Sequence, residues 1–431
     1  MTLAEKDRAY VWHPFTQMKI ADTPILIERA KGCTLYAADG KTYIDAVSSW
    51  WVNIHGHAND VIGERIAQQA KVLEHVIFAG FTHEPAITLA EKLIQILPPH
   101  FAKVFFSDDG STAVEVGVKM ALQYWYNQGE TKKTKIIALE NAYHGDTFGA
   151  MAAGSRSAFT QPFHSHLFEV HHIPAPSADA VDESISKFKE LAVSGDVAAF
   201  IFEPLVQGSS GMLMHEPKHL DKLLAIAKEY NVLCIADEVM TGFGRTGKNF
   251  AINYLQNQPD IICLSKGITG GFLPLGVTVS TQKIFDAFYA DDMTKTLFHG
   301  HSYTANPLAC AAANASIELL LDKNCQQQIK WITNSHQLYA GRMSTHPFVK
   351  NFRCRGTILA MELNTSENTS YFNSIRKHAY DFYLKNGVLL RPLGNVIYIM
   401  PPYCITKEEL DKVYEVITQS LGYLQQKSKE K

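Results

Sequence analysis

Short apolar runs recur through the middle of the chain, separated by stretches with helical spacing. They are Lys103-Val104-Phe105-Phe106, Lys135 to Leu139, Ala198 to Phe202, Val232 to Ala236 and Ile261 to Leu264. Each is too short for a helix and has little polar alternation, which predicts strands buried on both faces. Between them, Thr112 to Tyr126 places Val114, Val118, Ala121, Leu122 and Trp125 on one stripe. His219 to Tyr230 does the same with Leu220, Leu223, Leu224 and Ala227. The alternation predicts an α/β fold with a mainly parallel, doubly wound sheet, and places function at the strand C-termini.

After about Ile317 the pattern turns to polar helices and then to strand-like pieces at Thr357 to Leu363, Val388 to Arg391 and Val396 to Met400. A smaller α+β domain is expected there, joined by Thr34-Leu35-Tyr36 and Tyr43-Ile44-Asp45. The expected division is an N-terminal segment, 1–54, contributing to the small domain, a large domain over 55–320, and a C-terminal small domain over 321–431. Gln425 to Lys431 reads as a frayed polar tail.

Composition narrows the function classes. The 431 residues are 46% hydrophobic and 19% charged, as in ordinary globular proteins. With 40 Lys and Arg against 43 Asp and Glu, no overall basic field draws the chain to nucleic acid or an anionic membrane. No stretch has the apolar length of a membrane span and the start lacks an apolar h-region, so a cytoplasmic protein is expected. Seven scattered cysteines without a C-x-x-C pair argue against a disulfide framework or thiolate metal site. The paired histidines, His55 and His57, His164 and His166, His171 and His172, fall in expected loops with no converging third ligand, so no metal is expected.

The most informative pattern is an acid ending one buried strand, Ile235-Ala236-Asp237-Glu238, and a lysine ending a later one, Leu264-Ser265-Lys266-Gly267. Alone, the two suit a strand-end ion pair. They also suit pyridoxal phosphate, which needs a Schiff-base amine and a carboxylate that keeps its pyridine nitrogen protonated. Three loops fill that cofactor's other needs. Gly110 and Ser111 follow a strand and open a helix, a cradle for phosphate as well as an ordinary cap. Tyr143, in Asn141 to Asp146, offers a ring to stack on a heterocycle. Phe298 to Tyr303 is a polar loop able to complete a phosphate site across a dimer interface.

Two further features concern substrates. Arg391 ends a strand-like run, where a guanidinium can grip a carboxylate or simply be solvated. Of Trp50 and Trp51, only one would face the site if the pair lay on a strand, and Trp50 is favoured as a channel wall. Gly242-Phe243-Gly244-Arg245-Thr246-Gly247 matches the dinucleotide string and leaves an NAD(P)-dependent oxidoreductase as a remote alternative. Against it, Asp237 and Glu238 would repel a pyrophosphate, and no amphipathic helix opens at Gly247.

Taken together, these stretches resemble the class III, fold-type I, pyridoxal-phosphate aminotransferases over nearly the whole chain. Within them the chain is most similar to the biotin-pathway group that makes 7,8-diaminononanoate from 8-amino-7-oxononanoate. The resemblance is carried by Trp12-His13-Pro14-Phe15-Thr16-Gln17-Met18, Ser48-Ser49-Trp50-Trp51, Tyr143 to Gly149, Thr241 to Gly247, Ser265-Lys266, Asn306 to Cys310 and Arg391-Pro392. It implies a large domain with a mainly parallel seven-stranded sheet, a small α+β domain, and a homodimer with shared active sites. It implies catalytic roles for Lys266, Asp237 and Tyr143. Gly110 and Ser111 would bind phosphate, completed by His301 and Ser302 of the other protomer. Phe15, Trp50, Tyr143, Gly300 and Arg391 would contact substrate beside an Asp146 to Arg245 ion pair. The usual amino donor of that group is S-adenosylmethionine; a lysine-using branch resembles the chain at Phe-Thr-Gln-Met and His-Gly-His-Ser-Tyr, and lysine stays the alternative donor.

Overall fold

The computed structural model describes residues 1–430. Seven strands form the central sheet in the order Phe101–Ser107, Gly276–Thr281, Ile261–Leu264, Leu233–Asp237, Val197–Phe202, Lys135–Leu139 and His171–Ile173. Gly276–Thr281 runs antiparallel to both neighbours and the other six strands run parallel, the mainly parallel α/β sheet expected from the apolar runs.

Successive side chains of a strand point to opposite faces, and burial follows that rule. Ile137, Leu139, Phe200, Phe202, Cys234 and Ala236 enter one apolar cluster. Their chain neighbours Ile136, Ala138, Ala199, Ile201, Leu233 and Ile235 enter another on the opposite face. Covered on both sides, these strands have no use for polar alternation. The second face is covered by the helix Gly110–Asn127, which buries Val114, Val118, Ala121 and Trp125. Asp109 starts it, its Oδ1 accepting the Thr112 N–H at 2.8 Å.

The smaller sheets come from both ends of the chain. Thr34–Ala37 and Thr42–Asp45 pair with each other, and Val388 and Leu389 pair in parallel with Ile44 and Asp45. Val349–Arg355, Ile358–Leu363 and Val396–Ile399 make a separate antiparallel sheet. Two expectations change. His171 and His172 lie on the edge strand rather than in a loop, while His164 and His166 close a short 3-10 turn. The expected polar tail is helical through Lys427, because Lys407–Lys427 keeps burying residues as far as Leu424; Lys431 lies outside the described residues. Among the described residues no helix is long and apolar enough to cross a membrane, and no cluster of His, Cys, Asp or Glu could hold a metal.

Candidate active site

Adjacent parallel strands deliver the acid and the lysine to one edge. Asp237 pairs in register with Cys263, and the chain reaches Lys266 three residues later. Lys266 has φ +47°, an uncommon conformation for a residue with a side chain, as the strand turns sharply into the 3-10 turn Lys266–Thr269. Its Nζ lies 4.6 Å from the centroid of the Trp51 ring. Burial lowers the Lys266 pKa to about 8; Arg245 adds to that effect, and Asp237 and Glu203 oppose it.

Asp237 is 5% exposed. Its Oδ1 accepts the Val239 N–H at 3.0 Å, and Oδ2 lies 2.7 Å from Nδ1 of His144, which donates to it. Nε2 of His144 is buried and has no hydrogen-bond partner among the described residues. Behind them sits Glu203, 6% exposed, accepting the backbone N–H of Tyr143 at 3.1 Å and of Gly208 at 2.9 Å. Burial raises its pKa to about 7, with His144 opposing and Asp237 adding to the rise. Glu203 was not anticipated, although it follows the strand Val197–Phe202 at the same sheet edge and that position was the available signal.

The first turn of Gly110–Asn127 has backbone N–H groups without intrahelical acceptors, and it packs where bulk is excluded. A Cβ on Gly110 would lie 2.7 Å from Cγ1 of Val239, and one on Gly276 would lie 2.1 Å from the carbonyl oxygen of Asp109. Oγ of Ser111 accepts the Asp146 N–H at 3.1 Å. The helix start therefore adjoins both the turn after Asp237 and the loop carrying Tyr143. Tyr143 is 36% exposed, and burial followed by Asp146 raises its hydroxyl pKa. Side by side lie a helix start that can bind phosphate, a buried carboxylate oriented by a histidine, and a half-buried lysine with lowered basicity. Those donors suit a phosphorylated pyridine aldehyde.

Ser48–Trp51 is a tight turn, with φ between +46° and +82° at all four residues, rather than the strand on which one tryptophan alone would face inward. Asp45 holds the turn by accepting the Val47 and Ser49 N–H groups, the Ser49 hydroxyl and His57 Nε2. Each tryptophan consequently meets a different candidate: Trp51 lies by Lys266 and Trp50 by Arg391. Trp51 is buried and donates Nε1–H to the Tyr398 hydroxyl at 3.0 Å, a partner no local pattern indicated. Trp50 faces outward with the Arg391 guanidinium 4.5 Å from its ring and Phe15 at 5.5 Å. Phe159, also unanticipated, extends this aromatic wall at 6.3 Å from Phe15. Among the described residues no carboxylate forms an ion pair with Arg391, which leaves that cation available.

One expected ion pair does not form. Arg245 does not pair with Asp146: its NH1 donates to Pro401 O at 2.8 Å and its NH2 to Trp51 O at 3.2 Å, in a site 1% exposed, while Asp146 is exposed at the surface. The guanidinium is thus committed to backbone carbonyls behind Trp51. Gly300, His301 and Ser302 lie on a loop whose side-chain contacts go elsewhere: His299 to Lys119 at 3.0 Å and Tyr303 to the ring of His75. Among the described residues, none of that loop's hydrogen bonds reaches Lys266, Asp237 or Ser111. The glycine string opens no helix; Glu238 instead accepts the Ala251 and Ile252 N–H groups that follow it, leaving no dinucleotide cradle.

A sequence model of the family "Aminotransferase class-III" matches residues 16–421. The chain is 50% identical over 420 residues to an adenosylmethionine-8-amino-7-oxononanoate aminotransferase of Synechococcus elongatus, covering 96% of this chain and 98% of that one. Among solved structures, the enzyme of that name from Methanocaldococcus jannaschii superposes with a TM-score of 0.92 at 37% identity, over 97% of this chain and 98% of that one. An omega transaminase of Pseudomonas jessenii in complex with PMP gives 0.93 at 26% identity, over 99% of each chain.

Proposed function

The chain belongs to the class-III aminotransferases, enzymes dependent on pyridoxal 5'-phosphate, and from that premise we propose that it transfers an amino group from S-adenosylmethionine to 8-amino-7-oxononanoate, giving 7,8-diaminononanoate for biotin synthesis. The observation that carries the reading is the placement of Lys266 and Asp237 at the ends of adjacent parallel strands, with His144 bonded to Asp237. When bound, pyridoxal phosphate supplies an aldehyde that condenses with amines and a protonated ring that draws electrons from the reacting carbon.

In this reading Gly110 and Ser111 hold the phosphate, with His301 and Ser302 of a second copy of the chain completing its site. Asp237 keeps a proton on the ring nitrogen through opposite charge, and His144 fixes the orientation of that carboxylate. Lys266 Nζ moves the proton between carbon atoms. Its lowered basicity leaves a useful fraction as free amine near neutral pH. Trp51 covers Lys266 on one side and limits water there. Arg391 grips the distant carboxylate of the oxo acid, whose aliphatic chain lies along Trp50, Tyr143 and Phe15. Arg245 supports this wall from behind Trp51.

The donor is tested by mixing the purified, cofactor-loaded enzyme separately with S-adenosylmethionine and with lysine and following the visible band of the bound cofactor. Loss of the band with S-adenosylmethionine, and its return on adding 8-amino-7-oxononanoate, is expected. Bleaching by lysine alone would move the chain to the other donor. The names of the related enzymes favour S-adenosylmethionine.

A further inference from the structure

Two thiols from opposite ends of the chain meet outside the active site. Sγ of Cys33 lies 3.7 Å from Sγ of Cys404, although the two residues are 371 positions apart in sequence. Cys33 sits in the turn between Ile27–Lys31 and Thr34–Ala37 and is 1% exposed. Cys404 lies between the strand Val396–Ile399 and the helix Lys407–Lys427 and is exposed. Cys404 therefore meets solvent as a residue, while Cys33 lies wholly beneath it.

The meeting place is built by backbone. A Cβ on Gly56 would lie 2.4 Å from Cys404 Sγ and 3.0 Å from the carbonyl oxygen of Gly32, so only glycine leaves the notch that the thiol fills. Gly32 and His57 exchange backbone hydrogen bonds of 3.1 and 2.7 Å, and Tyr403 N–H donates to Ile54 O at 2.7 Å. Three segments of chain thus hold the sulfurs face to face. The other cysteines lack this arrangement: Cys234, Cys263 and Cys310 are buried, Cys325 and Cys354 are partly so, and none has a thiol in contact with a second thiol among the described residues.

We propose that Cys33 and Cys404 form an oxidisable dithiol site that reacts with small-molecule disulfides and closes into an intrachain bond clamping the N-terminal strands to the C-terminal segment. The exposed Cys404 thiolate attacks one sulfur of the oxidant, such as oxidised glutathione, forming a mixed disulfide and releasing one glutathione thiolate. Cys33 then attacks Cys404 Sγ, its proton passing to the departing glutathione sulfur, which leaves as the second glutathione thiol. Two cysteine thiols are oxidised and one external disulfide is reduced to two thiols. The order of attack follows from exposure and from the hydrogen bond between the thiols, which lowers the Cys404 pKa and raises that of Cys33. Bond formation needs an approach of about 1.7 Å from the present separation, within reach of a side-chain rotation at the exposed partner. In a reducing compartment the pair stays a dithiol and closes only under oxidative challenge.

The test incubates the cofactor-loaded protein with oxidised glutathione, blocks remaining thiols with an alkylating agent, and maps the peptides by mass. A cross-linked peptide joining Cys33 to Cys404, two hydrogens lighter than the two thiol peptides together and reversed by dithiothreitol, is expected. It should be accompanied by a rise in the thermal midpoint that the same reductant cancels. The variant Cys33→Ser is expected to stop at a lasting glutathione adduct on Cys404, because the resolving thiol is gone. Wild-type protein that retains both free thiols, or that accumulates the glutathione adduct without closing, would overturn the proposal. A midpoint that falls on oxidation would overturn the clamp.

Discussion

Burial brings Lys266 from the ordinary lysine range to about 8, against the opposing pull of Asp237 and Glu203 and with a smaller addition from the Arg245 charge. Free amine, not ammonium, attacks an aldehyde. Capture of pyridoxal phosphate by the cofactor-free protein should therefore rise about tenfold per pH unit below the pKa and level off above about 8, the plateau marking the fully deprotonated amine. Asp237→Asn removes a negative charge that favours the ammonium, so its inflection should move to lower pH. Stopped-flow absorbance on both proteins checks this; an inflection near the ordinary lysine value would contradict the burial argument. Lys266 and Asp237 were legible because a charged residue ending an apolar run stands out against its neighbours. Glu203 is equally a strand-end acid, yet no partner type drew attention to it until folding set it behind His144 and Tyr143. The Asp146 to Arg245 pair failed for the complementary reason. A guanidinium has five donors, and two backbone carbonyls far away in sequence claimed one from NH1 and one from NH2 of Arg245.

At the scale of elements, continuous apolar runs revealed the parallel strands because burial on both faces removes polar alternation. Gly276–Thr281 escaped notice for the converse reason: Thr278 and Ser280 interrupt its apolar pattern. Yet Thr278 is fully buried, its hydroxyl donating to Ala113 O at 2.7 Å. Through that bond and the close approach of Gly276 to Asp109, the antiparallel strand helps seat the helix start proposed to bind phosphate. The seating leaves no spare volume. Gly110→Ala would press a methyl group against Val239, and overpacking of this kind costs about 1–3 kcal/mol. Because the clash falls on the turn following Asp237, cofactor affinity should weaken about tenfold, and Gly110→Ala/Val239→Ala should bind more tightly than Gly110→Ala alone. Cofactor titration of wild type, both single variants and the double variant reads the coupling. No recovery in the double variant would mean that the helix start and that turn are not sterically linked.

Across the whole molecule, one proposed component of the site stands apart from Lys266 and Asp237: the loop holding Gly300, His301 and Ser302. Phe298 is 71% exposed and Tyr303 66% exposed on that loop, while His301 Nε2 is buried with no hydrogen-bond partner among the described residues. Large exposed aromatics beside a polar loop suit a surface covered by another protomer. If two copies assemble about a two-fold axis, each loop serves the opposite site, and complementation can separate that arrangement from action within one chain. A Lys266→Ala protomer keeps an intact loop; a His301→Ala/Ser302→Ala protomer keeps an intact lysine. In a mixed dimer with loops acting across the interface, one site receives both lesions and the other receives neither. Random mixing of equal amounts should then restore about one quarter of wild-type sites, since half the dimers are mixed and each has one intact site. Loops acting within their own chain would leave one lesion in every site of a mixed dimer and give no restoration. Refolding the two variants together and assaying transamination against each alone decides between them, because unmixed dimers contribute only the residual activity of their parents.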